Sequence, residues 1–433
     1  MLKKINLFVM LIFFLILHSV YATDYEYIEI KNPYLNKIPI GIPSSAVISG
    51  GSLIEDSSVS DLLSETLAFT NYFKIDKLPG EKINGVLIKD LNFKKLREKG
   101  YELFITCGFS INKSKVLRIE FRLFDVVREK RLLGKIYKSY YTEKRNIVRR
   151  FATNVVKYLT GKDGFFNSKI AFVSKVTGHK EVYTCDFDGK NIKQITNHKS
   201  ITLTPAMSID GRWIAYTSYI KGKPDLYIRN LKNNTGFTVS KKGVNITPAW
   251  LPNQKKLAAS LSYTNDQGIY LINTNGRIVK RLTKKWSKWG IDLSPTFSPD
   301  GKRMAFVSNR SGMPQIFIKN FEDKSVRRLT YFGRYNTSPK WSPTGDKIIY
   351  SSMAKGKIDI FMTELNGEEP VMLTTTGDNE SPSWSPDGTH IVFSSRREGV
   401  DKIYIMTLFG TDQRRLLEME GKQTSPFWSG NIK

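Results

Sequence analysis

The sequence predicts a small α/β domain followed by an all-β six-bladed β-propeller, and three observations carry that prediction. A proline followed two residues later by a bulky side chain recurs six times from residue 205 onward. Each complete copy is followed by a turn and then by further β-rich runs. Residues 23–161 lack this repeat and mix helical with strand periodicity. With 433 residues the chain exceeds what one hydrophobic core usually supports, which fits two domains.

The repeat reads Pro205/Met207, Pro248/Trp250, Pro295/Phe297, Pro339/Trp341, Pro382/Trp384 and Pro426/Trp428, at intervals of 43, 47, 44, 43 and 44 residues. Self-similarity at this period marks a repeat architecture. After the bulky residue comes a turn, written fully as Ser298-Pro299-Asp300-Gly301 and Ser385-Pro386-Asp387-Gly388. Proline presets φ there and glycine supplies the left-handed position. A buried-strand run follows, as in Met304–Ser308 or Ile391–Ser395, then a third run such as Ile316–Asn320. A fourth closes the unit, as in Arg281-Leu282-Thr283 and Arg328-Leu329-Thr330. Four antiparallel strands per repeat is the signature of one propeller blade. The tryptophans Trp250, Trp341, Trp384 and Trp428, at the same fixed place in their blades, are expected to pack blade against blade.

Counting the blades depends on the chain ends. The first copy, Ile170–Ser174, Val182–Asp186 and Gln194–Thr196, lacks a proline-led strand, and the last, Pro426–Ser429, consists of nothing else. A C-terminal strand that completes the first blade closes a ring of six within residues 165–433 and removes the exposed edge of an open sheet.

The preceding α/β domain is expected over residues 36–161. Val59, Leu62, Leu63, Leu67 and Phe73 fall on one helical face that Ser58 could cap. Leu117, Ile119, Phe121 and Leu123 alternate with Arg118, Glu120 and Arg122 as in a half-buried strand. Ile147, Phe151, Val155 and Tyr158 form a second amphipathic helix, stopped by Gly161.

Lys3 and Lys4, the apolar run Leu7–Leu17, and small Val20 and Ala22 make residues 1–22 a cleaved export signal. The run is too short to span a bilayer, and no cysteine follows the cleavage site to carry a lipid. The mature protein is therefore expected to be exported. A formal charge of +27 is large, but the basic residues are spread along the chain rather than clustered with aromatics. That argues against nucleic acid and for solvated faces or an anionic envelope surface. Cys107 and Cys185 fall on strands of different domains, which allows one disulfide and favours two buried thiols. His179, His198 and His390 have no metal-ligand spacing and are expected at the surface or in loops.

Nothing in the chain composes a catalytic site, so catalytic, cofactor and metal residues are expected to be none. The nearest approach to a nucleophile elbow, Gly108-Phe109-Ser110-Ile111-Asn112, lacks its second glycine. Asp300 and Asp387 repeat for turn geometry rather than as an acid–base pair. A solute- or glycan-binding propeller remains open as an alternative. A prolyl-oligopeptidase-like hydrolase has less in its favour.

The export signal, the small α/β domain, the junction Leu159-Thr160-Gly161 through Lys169-Ile170-Ala171-Phe172, and six blades with Ser-Pro-Asp-Gly turns resemble the TolB family over the whole length. One blade departs from the turn pattern, with Leu251-Pro252-Asn253-Gln254. The resemblance implies a monomeric periplasmic scaffold bridging the lipoprotein Pal and the C-terminal domain of inner-membrane TolA, in support of outer-membrane integrity and invagination at cell division. It implies that an N-terminal segment, residues 23–35, docks on TolA, with Thr23, Asp24, Tyr25, Glu26, Tyr27, Ile28, Glu29 and Ile30 at its core. The alternating character of those residues suits strand addition to a partner and equally suits a first strand of the small domain. For Pal the resemblance implies one propeller mouth, with Val244, Thr247 and Leu293, and by repeat equivalence Thr337 and Glu380. Each of these five would otherwise be an ordinary loop residue.

Overall fold

Strict alternation over Val116–Asp125 builds a strand whose residues Leu117, Ile119, Phe121 and Leu123 are fully buried on one face. On the other face Arg118 and Arg122 flank Glu120 and both donate to its carboxylate. The computed structural model to which this strand belongs describes residues 37–48, 58–78, 85–112, 114, 116–262, 264, 266–354, 356–366 and 369–432. The expected signal peptide and the segment Thr23–Ile30 lie outside them.

The small domain runs β1 (Ile38–Pro43), β2 (Ala46–Val47), α1 (Ser58–Ala68), β3 (Phe73–Leu78), α2 (Phe93–Glu98), β4 (Leu103–Ile111), β5 (Val116–Asp125), β6 (Lys130–Tyr140) and α3 (Lys144–Thr160). Its sheet has the order β3-β1-β4-β5-β6, with β2 alongside β4. β1 pairs in parallel with β3 and β4, and β4, β5 and β6 pair antiparallel. Two helix assignments need correction. α1 ends at Ala68, and after Asn71 at φ 60° the chain turns so that Phe73 opens β3 while feeding the same core. Ser58 already belongs to α1, its hydroxyl accepting from Lys144 Nζ at 2.7 Å. In α3, Leu159 rather than Tyr158 faces the core, at 6% against 45% exposure, and Gly161 at φ 72° ends the helix as expected.

Six four-stranded antiparallel sheets follow. In the first blade the C-terminal strand Gln423–Trp428 pairs with Lys169–Ser174, which continues to Glu181–Asp186 and Lys193–Gln194. The ring is closed by the chain end. The repeat motifs do identifiable work in each sheet. In Ser-Pro-Asp-Gly, Ser385 Oγ donates to Asp387 at 2.7 Å and accepts from the His390 amide at 2.9 Å, while Gly388 takes φ 76°. In Arg-Leu-Thr, the Thr330 hydroxyl accepts from Ile316 N at 3.0 Å and donates to Gln315 Oε1 at 2.8 Å, fastening the fourth run to the third strand. The tryptophans link blades as expected: Trp250 Nε1 donates to Ala206 O at 2.9 Å and Trp384 Nε1 to Lys340 O at 3.1 Å.

The two domains share one apolar core, which runs from Ile38 and Leu63 through Phe165 and Phe166 to Tyr183, Ile405 and Trp428. Phe69 at the end of α1 meets Phe187 edge-on at 5.2 Å, and the Arg414 guanidinium lies 4.7 Å from the Phe69 ring centroid. His390, expected near the surface, is instead 1% exposed in this seam, 5.1 Å from Phe165. Burial, with Arg414 nearby, pulls its pKa down to about 3, so it sits there as a neutral aromatic. His179 is exposed, and His198 is half-buried with Nδ1 2.7 Å from Ser218 Oγ. Cys107 and Cys185 are both buried and free.

Polar contacts fix the seam's register. Arg149 of α3 donates to Asp186 at 2.6 Å, Lys169 reaches the same carboxylate at 3.1 Å, Arg145 pairs with Asp188, and Lys190 meets Glu65 at 3.1 Å. Burial pushes the Asp186 carboxyl up, but Arg149, Asn191 and Lys169 together hold it below its ordinary 3.8. A carboxyl depressed in the folded state contributes stability above its unfolded pKa and loses it as pH falls through the folded value. Arg149→Met is therefore expected to cost about 3 kcal/mol at pH 7, as when a buried pair loses one partner. Urea denaturation should show that difference shrinking as pH is lowered below 3.8. Separately, Thr330→Val should cost about 1–3 kcal/mol by stranding the buried Ile316 amide and leaving Gln315 Oε1 with Asn336 Nδ2 as its remaining donor, with Thr330→Ser restoring most of it.

Candidate partner-binding face and channel

Each inner strand breaks its pairing at one place, between the residue two before its proline and the residue after it. The residue just before the proline takes a left-handed conformation in all six blades: Thr204, Thr247, Ser294, Ser338, Ser381 and Ser425, at φ 47° to 55°. A bulge of this kind re-aims side chains, and proline is tolerated because the inner strand is the edge that lines the channel. The result is a neck of hydroxyls and prolines enclosing about 70 Å³. Positive φ is strained for these non-glycine residues, most of all for the two β-branched threonines, and all six line the neck.

The neck separates two faces. On the loop face, segments entering each inner strand lie beside the loops between second and third strands. Leu293, Thr337 and Glu380 share one register there, two residues before their prolines, with Leu203, Ile246 and Thr424 as their equivalents in the other blades. Thr247 is one residue deeper, lining the neck, with its hydroxyl accepting from Ser294 N at 3.1 Å. Val244 is further out, its amide held by Ser262 Oγ at 2.7 Å. The mouth residues thus occupy three depths rather than one ring. Burial and neighbouring Asp401 raise the Glu380 carboxyl above its usual range.

The most exposed aromatic surface on that face escaped the sequence reading. Trp286, Trp289 and Ile291 precede the fourth blade, Met313 lies on the adjacent loop, Tyr331 and Phe332 precede the fifth, and Tyr335 opens its inner strand. Trp289 is 77% and Tyr331 75% exposed. These loops are tied together. Ile291 N donates to Asn309 Oδ1 at 2.9 Å, Asn336 N to Pro314 O at 3.0 Å, and Arg310 reaches Asp292 at 3.1 Å with its guanidinium 5.7 Å from the Trp286 ring centroid. The available signal was the repeat interval of 47 residues ending at Pro295, which marks this loop as longer than its equivalents. Large exposed apolar clusters on pinned loops are the usual form of a protein-binding surface.

On the opposite, turn face the neck widens into a cavity of about 440 Å³ walled by Trp250, Phe297, Trp341, Trp384 and Trp428. Among the described residues no group of three or more His, Cys, Asp or Glu side chains could hold a metal, and no helix is long and apolar enough to cross a membrane. Ser110, the nearest candidate nucleophile, is buried within β4 opposite Arg118 rather than exposed on a strand-to-helix turn.

These features define a two-domain β-propeller protein that presents an aromatic loop face on one side of its ring and a tryptophan-walled cavity on the other. Comparison with known proteins narrows the class. The TolB amino-terminal domain matches residues 26–132 and the TolB beta propeller domain residues 156–432, and the chain belongs to the TolB family. It is 47% identical over 269 residues to the Tol-Pal system protein TolB of Desulfosudis oleivorans, a stretch covering 61% of each chain. It is 44% identical over 260 residues to the TolB homolog of Chlorobaculum tepidum, covering 60% of this chain and 59% of the relative. Its fold is shared with the crystal structure of TolB from Acinetobacter baumannii, at a TM-score of 0.79 and 23% identity, over 91% of this chain and 97% of that one.

Proposed function

We propose that this chain is a non-catalytic, periplasmic scaffold of the Tol-Pal system. In this reading the loop face holds the lipoprotein Pal, the N-terminal segment Thr23–Ile30 docks on the C-terminal domain of TolA, and the bridge supports outer-membrane integrity and invagination during division. The aromatic loop face carries the proposal. A rigid ring offering Trp289 and Tyr331 to solvent, beside Leu293, Thr337 and Glu380, suits a folded protein partner better than a small substrate. Residues 1–22 provide export, and the propeller supplies rigidity while the segment before it supplies reach.

Binding of the mature protein to soluble Pal and to the C-terminal domain of TolA tests the reading. Trp289→Ser should weaken Pal at least tenfold, corresponding to about 1.4 kcal/mol or more, and leave TolA unaffected. Removal of Thr23–Ile30 should do the reverse. Failure of the intact protein to bind either partner would leave the fold in place and refute the bridge.

A further inference from the structure

Just past the neck, each inner strand contributes the residue after its proline: Ala206, Ala249, Thr296, Lys340, Ser383 and Phe427. Only Lys340 is ionisable. It lines both the neck and the tryptophan-walled cavity, and it is the one charged side chain among the described residues that form the cavity's walls.

Its ammonium has no counter-ion. Among the described residues no carboxylate or carbonyl bonds to Nζ, and its near neighbour is the Phe427 ring, with the centroid at 4.9 Å. Other half-buried lysines of this propeller are satisfied: Lys402 Nζ donates to Met419 O and Gly421 O at 2.9 Å each, and Lys319 Nζ to Leu282 O at 2.7 Å. Burial, with no opposing carboxylate, draws the Lys340 ammonium down to about 8, which still leaves it charged at neutral pH. Holding a half-buried charge without a partner is unfavourable. A cation on a cavity wall with no matching acceptor points to one that is missing.

The size and charge of the cavity specify that acceptor. About 440 Å³ suits a small organic molecule, and the cavity continues into the neck of about 70 Å³, with which it shares Lys340. One cation matches one negative charge, whereas a phosphate ester or other polyanion would find no second cation on these walls. Tryptophan and phenylalanine walls favour an apolar or aromatic body. We propose that this cavity binds a small organic monocarboxylate, its carboxylate paired with Lys340 Nζ and its apolar tail against the tryptophans. The site lies on the face opposite the aromatic loops and is independent of partner binding there, so either proposal can fail without the other.

The mature protein is titrated with phenylacetate and hexanoate, and with the isosteric neutral amides, by calorimetry and by quenching of tryptophan fluorescence. At least one carboxylate should bind with a Kd of about 1 mM or tighter, with its amide at least tenfold weaker. Lys340→Met should lose at least tenfold in carboxylate affinity while melting no lower than the parent, because it removes an unpaired, half-buried charge. Absence of binding by both carboxylates, equal binding of acid and amide, or undiminished affinity in Lys340→Met would each overturn the proposal. The acid–amide comparison uses the unaltered protein and stands even if the variant folds poorly.

Discussion

The closure of the ring by Gln423–Trp428 is the interaction on which the rest of the structure depends. Without it, the sheet containing Lys169–Ser174 has an unpaired inner edge, and the channel has a gap where Ser425 and Phe427 now stand. The clasp also reaches beyond the propeller. Trp428 Nε1 donates to Ser168 Oγ at 2.7 Å, its ring meets Phe165 at 5.5 Å, and Asn431 Nδ2 donates to Gly164 O at 2.7 Å. These are residues of the linker between the domains. The last strand therefore joins the closure of the ring to the seating of the small domain, and a single apolar core runs through both.

That coupling gives the two faces different characters. The loop face is built from segments tied to one another by contacts such as Asn336 N to Pro314 O, outside the four-strand pairing of the blades, so it can carry an aromatic surface without affecting the ring. On the turn face, serine–aspartate turns such as Ser385–Asp387 and inter-blade tryptophans such as Trp250 and Trp384 hold most of the strand ends, so the cavity there is preformed. Strain at the six left-handed serines and threonines is tolerated because hydrogen bonds such as Ser381 N to Ser351 Oγ, at 3.1 Å, over-determine the neck.

What the sequence revealed was whatever repetition imposes. Pro205 through Pro426, the Ser-Pro-Asp-Gly turns and Arg-Leu-Thr recur because each blade needs the same bulge, the same reversal and the same hydroxyl staple. The six-blade count and the chain-end closure follow from them. Features that belong to one blade or to one contact were not legible. Phe73 fits a helical face until the turn at Asn71 is known, and His390 is polar in composition but sits against Phe69 and Phe165. Lys340 occupies a position filled by alanine in two other blades, so only the closed ring reveals that its ammonium enters a cavity. Trp289 was likewise hidden, since exposure is set by neighbouring loops rather than by its own sequence context.

Hydrogen exchange on a chain ended after Lys422 tests most directly whether the clasp holds both domains. Loss of amide protection is expected in Lys169–Ser174 and also in α3 of the small domain, whose Phe151 and Val155 share the core with Trp428. Protection of α3 equal to that of the full chain would contradict a shared core dependent on the clasp and would make the small domain's stability its own.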